Sequence, residues 1–118
     1  MDQSLPIYLQ ISQYIENEIL LGHLETDDKV PSMNDFSRMM KVNPATAGKG
    51  LNELVDQGIL YKRRGMGMYV TLEAKAIIKK QRKETFRKFV LPDLIHRAQQ
   101  LEISESELTA MIRSEWNA

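Results

Sequence analysis

Residues 42–58, VNPATAGKGLNELVDQG, put a proline and two glycines into the first two turns of a stretch that otherwise reads as an amphipathic helix. Ala47, Leu51, Leu54 and Val55 recur at helical spacing, and Gly58 supplies a stop. An interior glycine costs a helix about 1 kcal/mol relative to alanine, so something other than helix stability keeps Gly48 and Gly50 small. Pro44 is not a breaker here. It suits the first helical position, forces Asn43 into an extended conformation, and leaves the Asn43 side chain to cap an N–H near Ala45 or Thr46. At 100° per residue, Ala45, Thr46, Lys49, Asn52 and Glu53 lie on the outer side, and the glycines flank the buried stripe. A small-residue margin lets another surface come close. Gly50, nearer the core stripe, reads as a packing residue; Gly48 reads equally as packing or as room for a partner outside the fold.

The elements around this helix narrow the fold. Pro6 followed by Ile7, Tyr8, Ile11, Ile15 and Ile19 predicts a first amphipathic helix ending at Gly22. After a polar turn, KVP is short and extended, and Ser32 caps a second short helix whose Met33, Phe36, Met39 and Met40 are expected in the core. After Gly58 the period changes to two. ILYK and MYVT predict strands joined by RRGMG, where Gly65 and Gly67 permit a hairpin turn. Beyond Thr71 the pattern is helical again, with Phe86, Val90, Leu94, Ala98 and Leu101 in one stripe and a kink or break expected at Pro92. Ser104 and Glu107 form a capping box for a last helix carrying Leu108, Met111, Ile112 and Trp116.

The chain of 118 residues has room for one small domain and an extension. It contains no cysteine, and His23 and His96 have no metal-ligand spacing, so neither a metal nor another cofactor is expected. The carboxylates fall on solvent faces or caps without a convergent partner, so no catalytic residue is expected and an enzyme is the weakest functional class. No apolar run approaches a membrane span and the amino terminus lacks the regions of a secretory signal, so a soluble cytoplasmic protein is expected. The formal net charge is zero, but residues 62–97 carry eleven Lys/Arg against three Asp/Glu. That basic third is either a solvated helix face or an electrostatic footprint.

Three helices followed by a two-stranded hairpin is the order of a winged helix-turn-helix. In such modules the third helix enters the DNA major groove and the hairpin tip reaches the backbone or the adjacent minor groove. The fold expected is mainly α with a small β-hairpin: a winged helix-turn-helix over residues 1–72, then a helical segment over 73–118. Thr46 and Lys49 would make polar contacts to DNA. The winged helix can close its own core with residues 6–71. That leaves Phe86, Val90, Leu94, Ala98 and Leu101, together with Leu108, Met111, Ile112 and Trp116, for a dimer interface.

The segments PIYLQI, KVPSMNDFS, VNPATAGKGLNELVDQGIL and RRGMGMYV, in this order and at these intervals, resemble successive motifs of the GntR family of bacterial transcription regulators. The Asn43-Pro44-x-Thr46 opening and the short tail resemble its YtrA-type branch, which carries only a small helical dimerisation segment. The resemblance implies a homodimeric repressor on a partly palindromic double-stranded DNA operator, with genes for transporters as neighbours. It places Ser32, Asn34, Asn43, Pro44, Ala45, Thr46, Gly48, Lys49, Arg64 and Gly65 at the DNA, with Arg63 and Gly67 in the same wing. Asn34, Pro44 and Gly48 stand where many members have arginine, and Asp27 where a turn glycine is usual, which shifts binding toward Lys49 and the wing arginines. A small-molecule effector at the dimer seam is compatible with the tail, as is no ligand at all. The rival class is a winged helix that docks proteins without DNA; it would need neither RRGMG nor Lys49.

Overall fold

The computed structural model describes residues 4–118. One compact unit runs through Lys80 and a second from Gln81 to Ala118. In the first, α1 (Ile7–Leu20), α2 (Met33–Met40) and α3 (Pro44–Asp56) precede an antiparallel hairpin of β1 (Leu60–Arg63) and β2 (Gly67–Val70). The expected fold class is the observed one.

The core of this unit is aliphatic. Ile11, Ile15 and Ile19 of α1 meet Leu51 and Leu54 of α3, with Phe36, Ile59, Leu60 and Val70 closing around them. Each such side chain withdrawn from water contributes about 1.5–3 kcal/mol. Tyr14 packs edge-on against Phe36 at 6.0 Å between centroids. Of the second helix's expected core residues, Phe36 is buried and Met40 half-buried, but Met33 and Met39 are exposed. A helix of eight residues presents too narrow a face to bury four large side chains. Ile7, also expected in the stripe of α1, is exposed as well.

The helix ends follow from local chemistry. Ser32 Oγ accepts from the Asp35 N–H at 3.0 Å while Asp35 Oδ2 accepts from the Ser32 N–H at 2.8 Å, a reciprocal capping box at the start of α2. Asn43 is extended and its Oδ1 accepts from the Ala45 N–H at 2.8 Å, with Pro44 in the first turn. At the other end of α3, Gly58 takes φ +80° and the chain closes a Schellman motif: Ile59 N–H donates to the Leu54 carbonyl and Gly58 N–H to that of Val55. Ile59 and Leu54 are both buried, so this turn also carries the chain from the third helix into the hairpin.

The Asp35 carboxyl is held below its ordinary value, first by the Ser32 backbone N–H, then by the Ser32 hydroxyl and Arg38. A depressed carboxylate pKa contributes stability that is present above the unfolded value of 3.8 and lost as pH falls through the lower folded value. We expect α2 to loosen only in that acid window. Ser32→Ala should cost about 1 kcal/mol at neutral pH. Urea denaturation of both chains at neutral and acid pH checks this, and the difference between them should shrink in acid.

The strands pair Leu60 with Val70, Tyr61 with Tyr69, Lys62 with Met68 and Arg63 with Gly67. On the other side of β2, Lys29 bridges Tyr69; Asp27 N–H donates to the Val70 carbonyl and Val30 N–H to that of Met68. The KVP segment thus serves as a short third edge.

Helix α4 (Ala74–Thr85) begins in the first unit, where Ala74 and Ile78 join the core. The division expected after Leu72 therefore falls short of the compact unit, which needs these two residues to close. At Pro92 the chain stays helical, but the regular α-helix is interrupted just before it. Phe86–Val90 form a π turn, Leu91 N–H donates to the Phe86 carbonyl, and α5 (Leu91–Gln100) takes Pro92 in its first turn. The wider turn accommodates a residue that lacks an N–H and whose ring would crowd the carbonyl four residues back.

In the second unit, α5 ends in another Schellman motif. Glu102 adopts φ +57°, and Ile103 N–H donates to the Ala98 carbonyl. Helix α6 (Glu105–Trp116) starts at Ser104, whose Oγ accepts from the Glu107 N–H. Within the single chain the apolar stripes lie open: Phe86 is 56% exposed, Phe89 62%, Leu101 72% and Trp116 83%. Val90, Leu94, Met111 and Ile112 are also exposed and Leu108 is half-buried. Of the residues expected at the interface, Ala98 alone is buried within its own chain, at 6% exposure. The turn that brings Ile103 back toward it leaves it little surface to offer a partner.

Candidate nucleic-acid interface

The turn between α2 and α3 is tight. Lys41 adopts φ +54°, and Ser37 Oγ donates to the Val42 carbonyl at 2.6 Å. It aims the amino end of α3 outward, so that Asn43, Pro44, Ala45 and Lys49 are exposed and Thr46 half-exposed. The N–H groups of this start are engaged within the chain, Ala45 with Asn43 Oδ1 and Thr46 and Ala47 with the Asn43 carbonyl, so it is the helix dipole that favours an anionic neighbour there. Lys49 lies on this face with its ammonium 4.0 Å from the centroid of the Tyr8 ring, a contact that holds the cation at the surface of α1 and α3.

The two glycines of α3 do different work. A Cβ on Gly50 would stand 2.5 Å from the Tyr8 carbonyl oxygen and 3.3 Å from Ile11 Cβ, so α1 and α3 cross where only glycine fits. Ser12 Oγ donates to the Gly50 carbonyl at 2.9 Å across the same crossing. A Cβ on Gly48 would stand 3.3 Å from Met33 Sδ, and Gly48 is buried. The packing half of the Gly48 alternative is therefore present, against the flexible end of an exposed side chain.

A cleft of about 260 Å³ opens between the start of α2, the outer side of α3 and the wing. Its lining brings together Ser32, Asn34, Gly48 and Gly67, which were among the expected DNA-contacting residues, with Asn52, Lys62 and Met68. Because side chains alternate along a strand, Lys62 and Met68 share the hairpin face that begins with buried Leu60 and Val70 and continues into the cleft. Lys62 was not among the expected contacts, although alternation from Leu60 signals its direction. Arg63 belongs to the opposite face. Its guanidinium carbon lies 4.6 Å from the centroid of the Tyr69 ring and 5.8 Å from that of Tyr61. Arg64 and Gly65 form the exposed tip, where Gly65 takes φ +73°. The two wing arginines, adjacent in sequence, thus serve different surfaces.

Residues 7–70, more than half of the chain, match the profile of the bacterial regulatory proteins of the gntR family. The chain belongs to the GntR family. Among its relatives, the HTH-type transcriptional repressor YtrA of Bacillus subtilis is 36% identical over 75 residues, which are 64% of this chain and 58% of YtrA. A solved GntR family transcriptional regulator from Listeria monocytogenes superimposes with a TM-score of 0.72 at 32% identity, covering 97% of this chain and 98% of its own. The DNA-binding domain of AraR, solved in complex with operator ORR3, aligns with 57% of this chain and 81% of its own at 34% identity and a TM-score of 0.55. The GntR match falls on the winged helix, while the Listeria likeness extends through the second unit as well.

Proposed function

We propose that this GntR protein is a homodimeric, cytoplasmic transcriptional repressor of the YtrA-like kind, reading a partly palindromic operator with α2, α3 and the wing. The observation that carries the reading is the convergence of Ser32 and Asn34 at the start of α2, Gly48 and Asn52 of α3, and Lys62 of the wing around one cleft, with the start of α3 exposed. Winged helices place such a helix in the major groove and the wing on the flanking backbone. The likeness to YtrA supports repression, and the likeness to the operator-bound AraR domain supports duplex DNA as partner.

Dimerisation is supported by the second unit, which exposes its large apolar side chains in the single chain. With few arginines on the reading surface, phosphate neutralisation supplies much of the affinity, which should fall steeply as salt rises. Lys62→Ala should weaken binding about equally on all sequences and lower the salt slope by about one, with an unchanged melting temperature. Selection of bound duplexes from a random library tests the reading as a whole. Enrichment of inverted repeats with half-sites roughly one helical turn apart is expected; recovery of no common sequence would overturn it.

A further inference from the structure

The outer face of the wing, away from the cleft, carries an ordered cluster that the reading above leaves unused. Tyr61 and Tyr69, cross-strand partners, stack at 5.7 Å with 28° between ring planes. The Arg63 guanidinium lies over Tyr69, and its Nη2 is 3.5 Å from the Tyr61 hydroxyl oxygen. The Tyr69 hydroxyl donates to the Met66 carbonyl in the turn at 2.9 Å, which fixes the ring under the guanidinium. The Tyr61 hydroxyl donates to Asp27 Oδ1 at 2.7 Å, tying β1 to the edge segment on the far side of β2. Asp27 does this from φ +68°, a left-handed backbone that L side chains adopt at a cost. A glycine would hold that turn without strain, but it would offer no acceptor to Tyr61. Lys29 crosses the same face: its Cε is 2.9 Å from where a Gly67 Cβ would stand, so the missing side chain makes room for a second cation.

We propose that Asp27, Tyr61 and Tyr69 are positioning residues that hold Arg63 ready for a DNA phosphate on the outer face of the wing, an inference that rests on the DNA-binding reading. Stacking occupies the flat face of a guanidinium and leaves its N–H edge for an acceptor, and a side chain already ordered loses less freedom on binding. The wing then meets the backbone on two sides, with Lys62 on the cleft face and Arg63 on the outer one. Were the cluster merely a brace for the hairpin, its loss would change stability and leave DNA binding to other groups.

The test is the affinity of the full chain for a fluorescent mixed-sequence duplex over a range of salt, with melting temperatures measured in parallel. Arg63→Ala should lower the salt slope by about one. Tyr69→Leu should do the same, and combining the two should cost no more affinity than either alone, because both act through one contact. Asp27→Asn and Asp27→Gly remove the same charge, but only asparagine keeps an acceptor for Tyr61. The glycine variant should bind several-fold more weakly than the asparagine variant at a comparable melting temperature. Equal affinity of those two variants, or independent, additive losses for Arg63 and Tyr69, would overturn the proposal while the chain still binds DNA. A wild-type chain without salt-dependent binding would overturn the DNA-binding reading itself.

Discussion

Gly50→Ala is expected to be the most damaging single methyl group that can be added to α3. The new Cβ would meet the Tyr8 carbonyl oxygen at 2.5 Å, and that oxygen belongs to the backbone of α1. It cannot rotate away, so α1 and α3 must move apart, opening the packing of Ile11, Leu51 and Leu54. Overpacking of this kind costs on the order of 3 kcal/mol, against which alanine returns about 1 kcal/mol of helix propensity. A net loss of about 2 kcal/mol corresponds to a melting temperature lower by roughly 8–16 °C for a domain of this size. Gly48→Ala is the control. Its Cβ would press only on the sulfur of exposed Met33, which can swing aside, so the propensity gain should leave the melting temperature unchanged or slightly raised. Thermal denaturation of the two variants beside the wild type distinguishes the sites, and equal behaviour would contradict the packing described here.

The second large effect is expected from the tail. A charge placed at Phe89, as in Phe89→Glu, stands on a side chain that is 62% exposed in the single chain and costs the isolated fold little. If a second copy covers that face, the same charge is buried in an apolar seam without a partner, which an interface does not tolerate. The variant should be monomeric at micromolar concentration and bind an inverted-repeat duplex roughly 10²–10⁴-fold more weakly, because the second half-site no longer benefits from linkage to the first. The melting transition of the winged helix should not move. Light scattering and an operator titration check both halves of the expectation. A fragment for comparison must extend through Lys80, because Ala74 and Ile78 belong to the core of the first unit.

The caps and turns around the cleft are legible in the sequence where chemistry is local. Asn43 with Pro44, Ser32, and the glycine stop at Gly58 each act within a few residues of themselves, and each forms the cap or turn its type predicts. The strands differ by one position from ILYK and MYVT, because pairing is set by the turn at Gly65 and by the edge segment across β2 as well as by hydrophobicity. What stays hidden depends on neighbours distant in sequence. Met33 and Met39 are apolar by type, yet α2 buries only the narrow face around Phe36. Gly50 looks like one small residue among several until the Tyr8 carbonyl is opposite it. The outer-face cluster joins Asp27 to Tyr61, residues separated by two helices, and no local pattern announces that pairing. Pro92 signals disruption correctly, but whether a helix breaks or widens depends on the backbone around it, here a π turn.

In the proposed assembly two copies of this chain, joined through the second unit, read one operator with their winged helices. Its most direct test is the mass of the protein–DNA complex in solution, measured by light scattering on the full chain mixed with a selected inverted-repeat duplex. Two chains per duplex, from a protein that is already dimeric without DNA, is the predicted result. A complex holding a single chain, or a chain that stays monomeric and leaves the duplex unbound, would contradict it.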